Sequence, residues 1–552
     1  MDEIKKNKLL NYKKKSGCKY LVASCLICLI IRILIFLVLN VLEGSNYEYI
    51  NKLINIDDNM NKGKSEMNNL IEYEYNKNEE LKELEKYFQK NKRNNQLKQF
   101  LFKNDSMHYS FNSDIYNFKY IYESYILSKL YKDIYHSLIV RINPLFLKFI
   151  HFIIFKKLRF KNNILSSIGN YYEFRYYIFI TAIDILIAIF LFLIVEKLMT
   201  WSTYFNYINQ NKKEKWKLIN SILLINIYLN NPLTILSNSF LSLDNFKLLI
   251  ITISFYLTLL RINNFSKKCL SILNLFMIIF FNAILLYVSS FHFILIIIGI
   301  NNFIIFINEK INKYEINENI KFSKLFHMLL KNIFLLLITL TTYFLLIYIS
   351  SYVNANSMFF LNNTLINEYK ILFLLPNLGN FWYIFSLMFK DYYYSFLFLF
   401  HFHVFLYPLP LFFRLVKTPL IYLKIMITIA LVFQPNITVN DIVYSLLLLS
   451  IDYEKTIHTI PFVKLLIILL GNLSLFSVTI NLWIKKNTGN ANYVFFNQIV
   501  IFNIITYIMS NSLRFYIRVQ TPKSQLEEGK CIFVSKRRKK FNILKVLKEK
   551  FE

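Results

Sequence analysis

Two ionisable side chains stand inside long apolar runs: Arg32, in the run from about residue 20 to 42, and Asp184, in the run from about 176 to 197. A charge in hydrocarbon is costly, so each has to face the interior of a helix bundle and find a partner. Two outcomes are open: the two pair with each other, or one of them contacts a polar ligand. A second kind of chemistry needs a carboxylate outside the bilayer, acting as base and metal ligand when a sugar leaves a lipid-linked donor. The long segment 43–143 offers Asp57, Asp58, Asp114 and Asp133 for that role. Asp57 and Asp58 border a low-complexity stretch, a poor setting for a preorganised base. Asp133 lies nearer an aromatic stretch and is the better candidate. A third kind rests on amides at backbone breaks. Four segments carry Asn, Pro or Gly at or near the ends of apolar runs: Asn231-Pro232-Leu233-Thr234, Pro376-Asn377-Leu378-Gly379, Ile437-Thr438-Val439-Asn440-Asp441 and Thr488-Gly489-Asn490-Ala491-Asn492. Irregular backbone near membrane depth survives only where protein or a water-filled cavity satisfies its polar groups. Each break is therefore either a cavity wall or an ordinary loop before the next span.

Other chemistries lack their residues. No GxSxG, HExxH or phosphate-cradling Walker loop occurs. His401 and His403 are two apart on a helix and point to different faces, a poor metal pair. The five cysteines are too scattered for a disulfide framework, and Cys25 and Cys28 both lie inside the first apolar run. No catalytic residue, metal or cofactor is expected.

The elements that must position these residues are membrane helices. The 552 residues are 55% hydrophobic with only 9 Gly and 9 Pro, the mean hydropathy is +0.38, and apolar runs recur from residue 20 to 517. Runs of that length without alternating polar faces describe an all-α polytopic membrane protein. Spans are placed near 20–42, 176–197, 218–239, 245–262, 269–288, 291–308, 325–352, 394–413, 419–434, 440–453, 462–483 and 493–516, about twelve in all. Segment 144–155 is apolar but too short to cross, and reads as an interfacial or re-entrant helix. The first run is too long for a signal-peptide core and lacks a small-residue cleavage site, so it reads as an uncleaved anchor.

The net charge of +30 is concentrated at the flanks of these runs. Lysines crowd residues 1–19, and Lys536, Arg537, Arg538, Lys539 and Lys540 follow the last span, a pattern that sets topology and meets anionic lipid rather than nucleic acid. The basic loops at 212–217, 261–268, 308–324 and 414–417 then fall on the cytosolic side with both termini. The run Lys156–Lys161 is the misfit, falling on the outer side beside 144–155. The expected organisation is a cytosolic N-terminus (1–19), a first helix (20–42), an outer loop (43–175), a multi-span bundle (176–517) and a cytosolic tail (518–552). Within the loop, about 56–105 is Asn-, Lys- and Glu-rich and reads as a low-complexity insertion. Lys548 and Lys550 have the spacing of a dilysine-type retrieval signal. All four breaks fall at or near outer ends, which suggests one shared outer-facing cavity.

Leu375 to Leu415, LPNLGNFWYIFSLMFKDYYYSFLFLFHFHVFLYPLPLFFRL, carries Pro376, Asn377, Gly379, Phe381, Trp382, Tyr383, Phe385, Met388 and Phe389, then Val404, Phe405, Tyr407 and Pro410. In types and order these residues resemble the PIG-U family of glycosylphosphatidylinositol (GPI) transamidase subunits. Arg32 and Asp184 match an arginine in that family's first span and an aspartate in its second. Asn231–Ser237 matches an Asn-Pro-x-Thr-Ile-Leu-Ser run, and Thr438, Val439 and Asp441 match Thr-Val-x-Asp. Gly489, Ala491, Asn492, Phe495 and Phe496 fit Gly-x-Ala-Asn-x-x-Phe-Phe. The sequence departs from the family at Ile134-Tyr135-His136-Ser137, where only the tyrosine of Pro-Tyr-Ser-Gly is kept. It departs again at Val494, where a second asparagine is expected, and in the extra length of 56–105.

The resemblance implies a glycosyltransferase-C-like bundle with a long lumenal first loop and no transferase activity, in the endoplasmic reticulum membrane. It implies an accessory subunit of a complex that exchanges a C-terminal signal peptide for a GPI anchor, with the catalytic cysteine in a separate caspase-like subunit. The implied partners are the other transamidase subunits, the GPI lipid and the membrane. The candidate lipid contacts are Asn377, Phe381, Trp382, Tyr383, Phe385, Asn490, Asn492, Phe495 and Phe496, with amides on phosphate or sugar hydroxyls and rings on acyl chains or neighbouring helices. Arg32, Asp184, Asn231 and Asp441 are expected to be intramembrane polar or structural residues. The alternative is an active polytopic mannosyltransferase using a dolichol-phosphate-linked donor, with Asp133 or Asp58 essential.

Overall fold

A computed structural model describes residues 20–36, 116–131, 133–135, 140–156, 171–208, 221–263, 268–312, 322–354, 357–366, 369–370, 376–416, 418–451 and 460–520. The basic N-terminus, the insertion at 56–105, Asp57, Asp58, Asp114, most of Lys156–Lys161 and the tail with Lys548 and Lys550 lie outside the described residues.

The described residues are almost entirely helical. In chain order they form α1 (Tyr20–Phe36), α2 (Phe118–Leu130), α3 (Pro144–Phe155), α4 (Tyr171–Ile208), α5 (Ser221–Leu229), α6 (Pro232–Ser239), α7 (Asn245–Asn263), α8 (Lys268–Val288) and α9 (Ile294–Asn312). Then follow α10 (Phe322–Val353), α11 (Phe381–Ser386), α12 (Tyr393–Phe402), α13 (Pro408–Leu415), α14 (Pro419–Val432), α15 (Val439–Ser450), α16 (Phe462–Ile480) and α17 (Ala491–Gln520). Among them six segments are long and apolar enough to cross a membrane, and several shorter apolar helices, α1, α3, α14 and α15 among them, accompany these. The chain is an all-α polytopic membrane protein.

Local chemistry explains where helices start. Asn231 caps α6, its Oδ1 accepting from the Leu233 amide at 3.0 Å, and Pro232 occupies the first helical position. The run expected as a single span at 218–239 is consequently two helices, α5 and α6, broken at 230–231. The run at 394–413 is likewise interrupted. A 3₁₀ turn at His403–Leu406 and Pro408, which has no amide hydrogen to continue the ladder, divide α12 from α13.

All fourteen residues of α14 are buried, so this helix is the pillar of the bundle. It packs on α9, α15 and α17, while α7 packs on α4 and α8. One contiguous apolar core runs through these helices. By contrast α10 and α16 turn many large apolar side chains outward, such as Phe334, Phe344, Ile467 and Leu470. That is the pattern of a lipid- or partner-facing helix rather than of a water-facing one.

Candidate functional site

The Arg32 guanidinium lies against Asp184, with both side chains wholly buried. Arg32 also donates to the Leu229 carbonyl at 3.2 Å, where the break after α5 leaves that oxygen without a helical partner. Asp184 takes further hydrogen bonds from Asn238 (2.6 Å), Tyr228 (3.2 Å) and Asn245. The site therefore joins α1, α4, α5, α6 and α7 through one carboxylate, and Asn231 contributes by capping α6 rather than by reaching into it.

Asp441 is used in a related way. It closes a capping box with Thr438 at the start of α15. It also accepts from Lys247 at 2.8 Å and from Gln434 at 2.6 Å. Lys247 is a further buried ionisable residue, inside the run expected as a span at 245–262. Lys424, in the middle of α14, is another. Both belong with Arg32 and Asp184, so the ionisable residues within the expected spans are more than the two singled out above.

The break at 376–379 is satisfied from within. Asn377 Oδ1 accepts from the Gly379 amide at 2.6 Å, and its Nδ2 donates to the Pro435 carbonyl at 3.1 Å. Gln498, one helix away on α17, donates to the Asn377 carbonyl and accepts from Trp382 Nε1 at 3.0 Å. A Cβ on Gly379 would stand 2.8 Å from Asn377 Oδ1 and 3.3 Å from Ile437, so this turn is built around the glycine. The sequence reading missed Gln498. The structure places Val494 and Gln498, four apart and both buried, on the inward face of α17, and that burial is what marks the glutamine.

The aromatic residues divide into two sets. Trp382 is buried and stacks on Trp483 with centroids 5.6 Å apart, and Phe385 is buried against Phe400 and Tyr393. Phe381 packs on Phe400 as well. Tyr383 stacks on Phe495 at 4.4 Å, which joins the short α11 to the start of α17. Around that joint the surface is open: Phe496, Tyr493, Leu387 and Phe389 are exposed, and so are Asn490 and Asn492. Asn490 Oδ1 accepts from the Asn492 amide at 3.2 Å and shapes the first turn of α17. The result is an apolar and aromatic edge bordered by two amides.

The four breaks meet through side chains. Asn440 donates to Ser237 at 2.7 Å, Asn377 reaches Pro435, and the Trp382–Trp483 stack leads to the turn at Gly489. What they build is a chain of contacts at one end of the bundle. Asp133, the best candidate for a base, accepts from the Tyr135 amide at 3.0 Å and from Asn354 at 3.1 Å, so its carboxylate ties a loop to the end of α10. Among the described residues no group of three or more His, Cys, Asp or Glu is arranged to hold a metal ion. His401 and His403 do diverge: His401 faces His292 at 3.3 Å, and His403 lies against Phe433.

A family model described as GPI transamidase subunit PIG-U matches residues 86–502. The chain belongs to the PIG-U family. Curated relatives agree over a shorter stretch. The human and mouse proteins named GPI-anchor transamidase component PIGU are each 29% identical over 133 residues, which is 24% of this chain and 30% of theirs. The Cricetulus griseus protein of the same name is 29% identical over 132 residues. The chain thus aligns with about 30% of the length of these relatives. The PIG-U match takes in Asp184, Asn231, the whole of 376–389, Asp441 and the start of α17, and leaves Arg32 outside it.

Proposed function

We propose that this chain is a non-catalytic subunit of GPI transamidase in the endoplasmic reticulum membrane, which helps bind the GPI lipid and present it for attachment to proproteins. The catalytic cysteine belongs, on this reading, to a separate caspase-like subunit. Residues 43–175 face the lumen, and 1–19 and 518–552 the cytosol. Membership of the PIG-U family supports the reading, and the mannosyltransferase alternative is not favoured by it.

The observation that carries the lipid role is the division of labour at the α11–α17 joint. Asn377, Phe381, Trp382 and Phe385 have their polar or aromatic groups engaged inside the fold, so they act as the frame. Asn490, Asn492 and Phe496 are turned outward beside Tyr383 and Phe495. Exposed rings offer an acyl chain a wall, and amides offer phosphate and sugar hydroxyls both donors and acceptors without burying a charge. Holding a substrate this way lowers a barrier by positioning alone.

The test is Asn492→Ala with Phe496→Ala in cells lacking the endogenous subunit. Surface display of GPI-anchored proteins is read by flow cytometry, and assembly by co-purification of the caspase-like subunit. Reduced display with normal assembly supports the reading. Full display with the double variant removes this edge from the mechanism, and failure of the wild-type chain to co-purify with a caspase-like protein removes the complex itself.

A further inference from the structure

On the topology proposed above, the basic run that begins at Lys156 falls on the lumenal side, where short loops ordinarily carry little positive charge. Between Asp133 and Glu173 the sequence holds six basic residues and no acidic one. The helix at the centre of that stretch is α3. One face of it, with Phe146, Ile150 and Ile154, packs into the bundle core. The other face repeats at helical spacing as Lys148, Phe149, Phe152 and Lys156, all of them exposed. Phe149 is 46% exposed and Phe152 60%.

The cations at the two ends of this face differ. Lys148 donates to the Val353 carbonyl at 2.7 Å, which ties α3 to the end of α10. Lys156 lies over the Phe152 ring, 4.3 Å from its centroid. Arg175 on α4 reaches the same corner and donates to the Lys156 carbonyl at 2.7 Å. Two cations from two helices thus share one corner, and among the described residues neither has a carboxylate partner. A water-facing surface has no reason to keep two phenylalanines open, and a helix sunk among acyl chains has none to keep two lysines. A helix of this pattern, about 18 Å long and too short to cross, suits the headgroup zone. Its rings point toward the acyl chains and its lysine stems reach back to phosphate depth. Charge then decides which lipid fits. A zwitterionic headgroup brings its own cation with its phosphate, whereas a net-negative one supplies the charge that this corner lacks.

We propose that the exposed face of α3 docks on the bilayer surface, and that Lys156 and Arg175 select an anionic phospholipid there by holding its phosphate at the α3–α4 corner. Phe149 and Phe152 anchor the helix, and the two cations choose among headgroups. This surface is built from other helices than the α11–α17 edge, and the proposal does not depend on the transamidase reading.

The experiment uses the full chain with its co-purifying subunits in nanodiscs of phosphatidylcholine with increasing phosphatidylglycerol, and follows hydrogen–deuterium exchange of peptides from 144–156. Exchange at the end of α3 is expected to slow as phosphatidylglycerol rises. Lys156→Gln is expected to raise the phosphatidylglycerol fraction needed for half of the effect about fivefold, the loss of one cation at an anionic surface. Lys156→Arg should stay near wild type. Lys156 is exposed, so Lys156→Gln should melt with the wild type, and its altered protection would not report misfolding. Phe152→Ser removes an anchor and should speed exchange in discs of either composition. The proposal is overturned if exchange is the same in both lipids, as for a face covered by a partner subunit. It is overturned equally if Lys156→Gln or Phe152→Ser behaves like wild type. It also falls if glycerol 3-phosphate, added in solution to phosphatidylcholine discs, gives the same protection, which would mark a soluble-anion site. Surface display measured on Asn492→Ala and Phe496→Ala reports the other site, so the two readings fail separately.

Discussion

Arg32 and Asp184 face each other across the helix bundle with neither side chain exposed, and Asp184 holds three further donors. Removing one partner leaves the other as an uncompensated buried charge, which costs about 3–5 kcal/mol, whereas replacing both with apolar side chains removes the charges but leaves the three other donors to Asp184 unpartnered. Asp184→Ala should therefore lower the melting temperature and cellular level of the protein sharply. Arg32→Met with Asp184→Leu should recover only part of the loss, because Asn238, Asn245 and Tyr228 are then left without their acceptor. Thermal unfolding of the purified complex checks both, and a wild-type melting curve for Asp184→Ala would refute a structural role.

Gln498 clips the 376–379 break to α17 through the Asn377 carbonyl and Trp382 Nε1. Gln498→Leu leaves a buried indole N–H without an acceptor, at about 1–3 kcal/mol. The variant should destabilise the bundle and loosen α11, read as increased proteolysis between 376 and 393. Asn492→Ala, on exposed surface, should leave both readouts unchanged.

Two glycines stand in close quarters for different reasons. A Cβ at Gly379 meets the end of the Asn377 side chain, but one at Gly489 comes within 2.9 Å of the Trp483 backbone nitrogen and 3.1 Å of the Leu482 carbonyl carbon. A side-chain terminus can rotate away and a backbone cannot. Gly489→Ala should thus be the more damaging substitution, by a margin on the order of 1 kcal/mol or more. Parallel melting curves of the two variants decide it.

Glu123 on α2 offers a pH test. Burial raises its carboxyl above the ordinary value of 4.5, with Lys119 pulling the other way. Because the folded state favours the protonated form, this group's contribution is fully present below the ordinary value and is lost as pH rises through the raised one. Glu123→Gln should stabilise the protein at pH 7–8 relative to wild type, with the difference vanishing near pH 4. Melting temperatures across that range measure it, and a constant difference would refute the assignment.

How far the sequence carried differs from element to element. Arg32 and Asp184 were legible as residues needing partners because hydrocarbon forbids a solitary charge. Their mutual contact was one of two open outcomes, since nothing local links positions 152 apart. The break at Asn231-Pro232 was visible, yet the division of 218–239 into α5 and α6 was not. Asn231 and Pro232 restart the helix locally, and the Leu229 carbonyl that the break frees accepts from Arg32, a partner no local pattern names. Trp382 and Phe496 look alike as aromatic residues of one motif set, but only packing separates the buried ring from the exposed one.

The stretch from Pro376 to Phe389, taken alone, established a backbone break before a short aromatic helix inside a polytopic helical protein, because proline, asparagine and glycine constrain the chain locally and apolar length constrains it against the bilayer. Only the tertiary structure decided that Asn377 and Trp382 serve the frame while Asn490, Asn492 and Phe496 face outward. It also brought Lys156 and Arg175 to one corner of the surface. Hydrogen bonds and cavities join residues hundreds of positions apart, and their partners are chosen by how helices pack, which no local pattern of residues encodes.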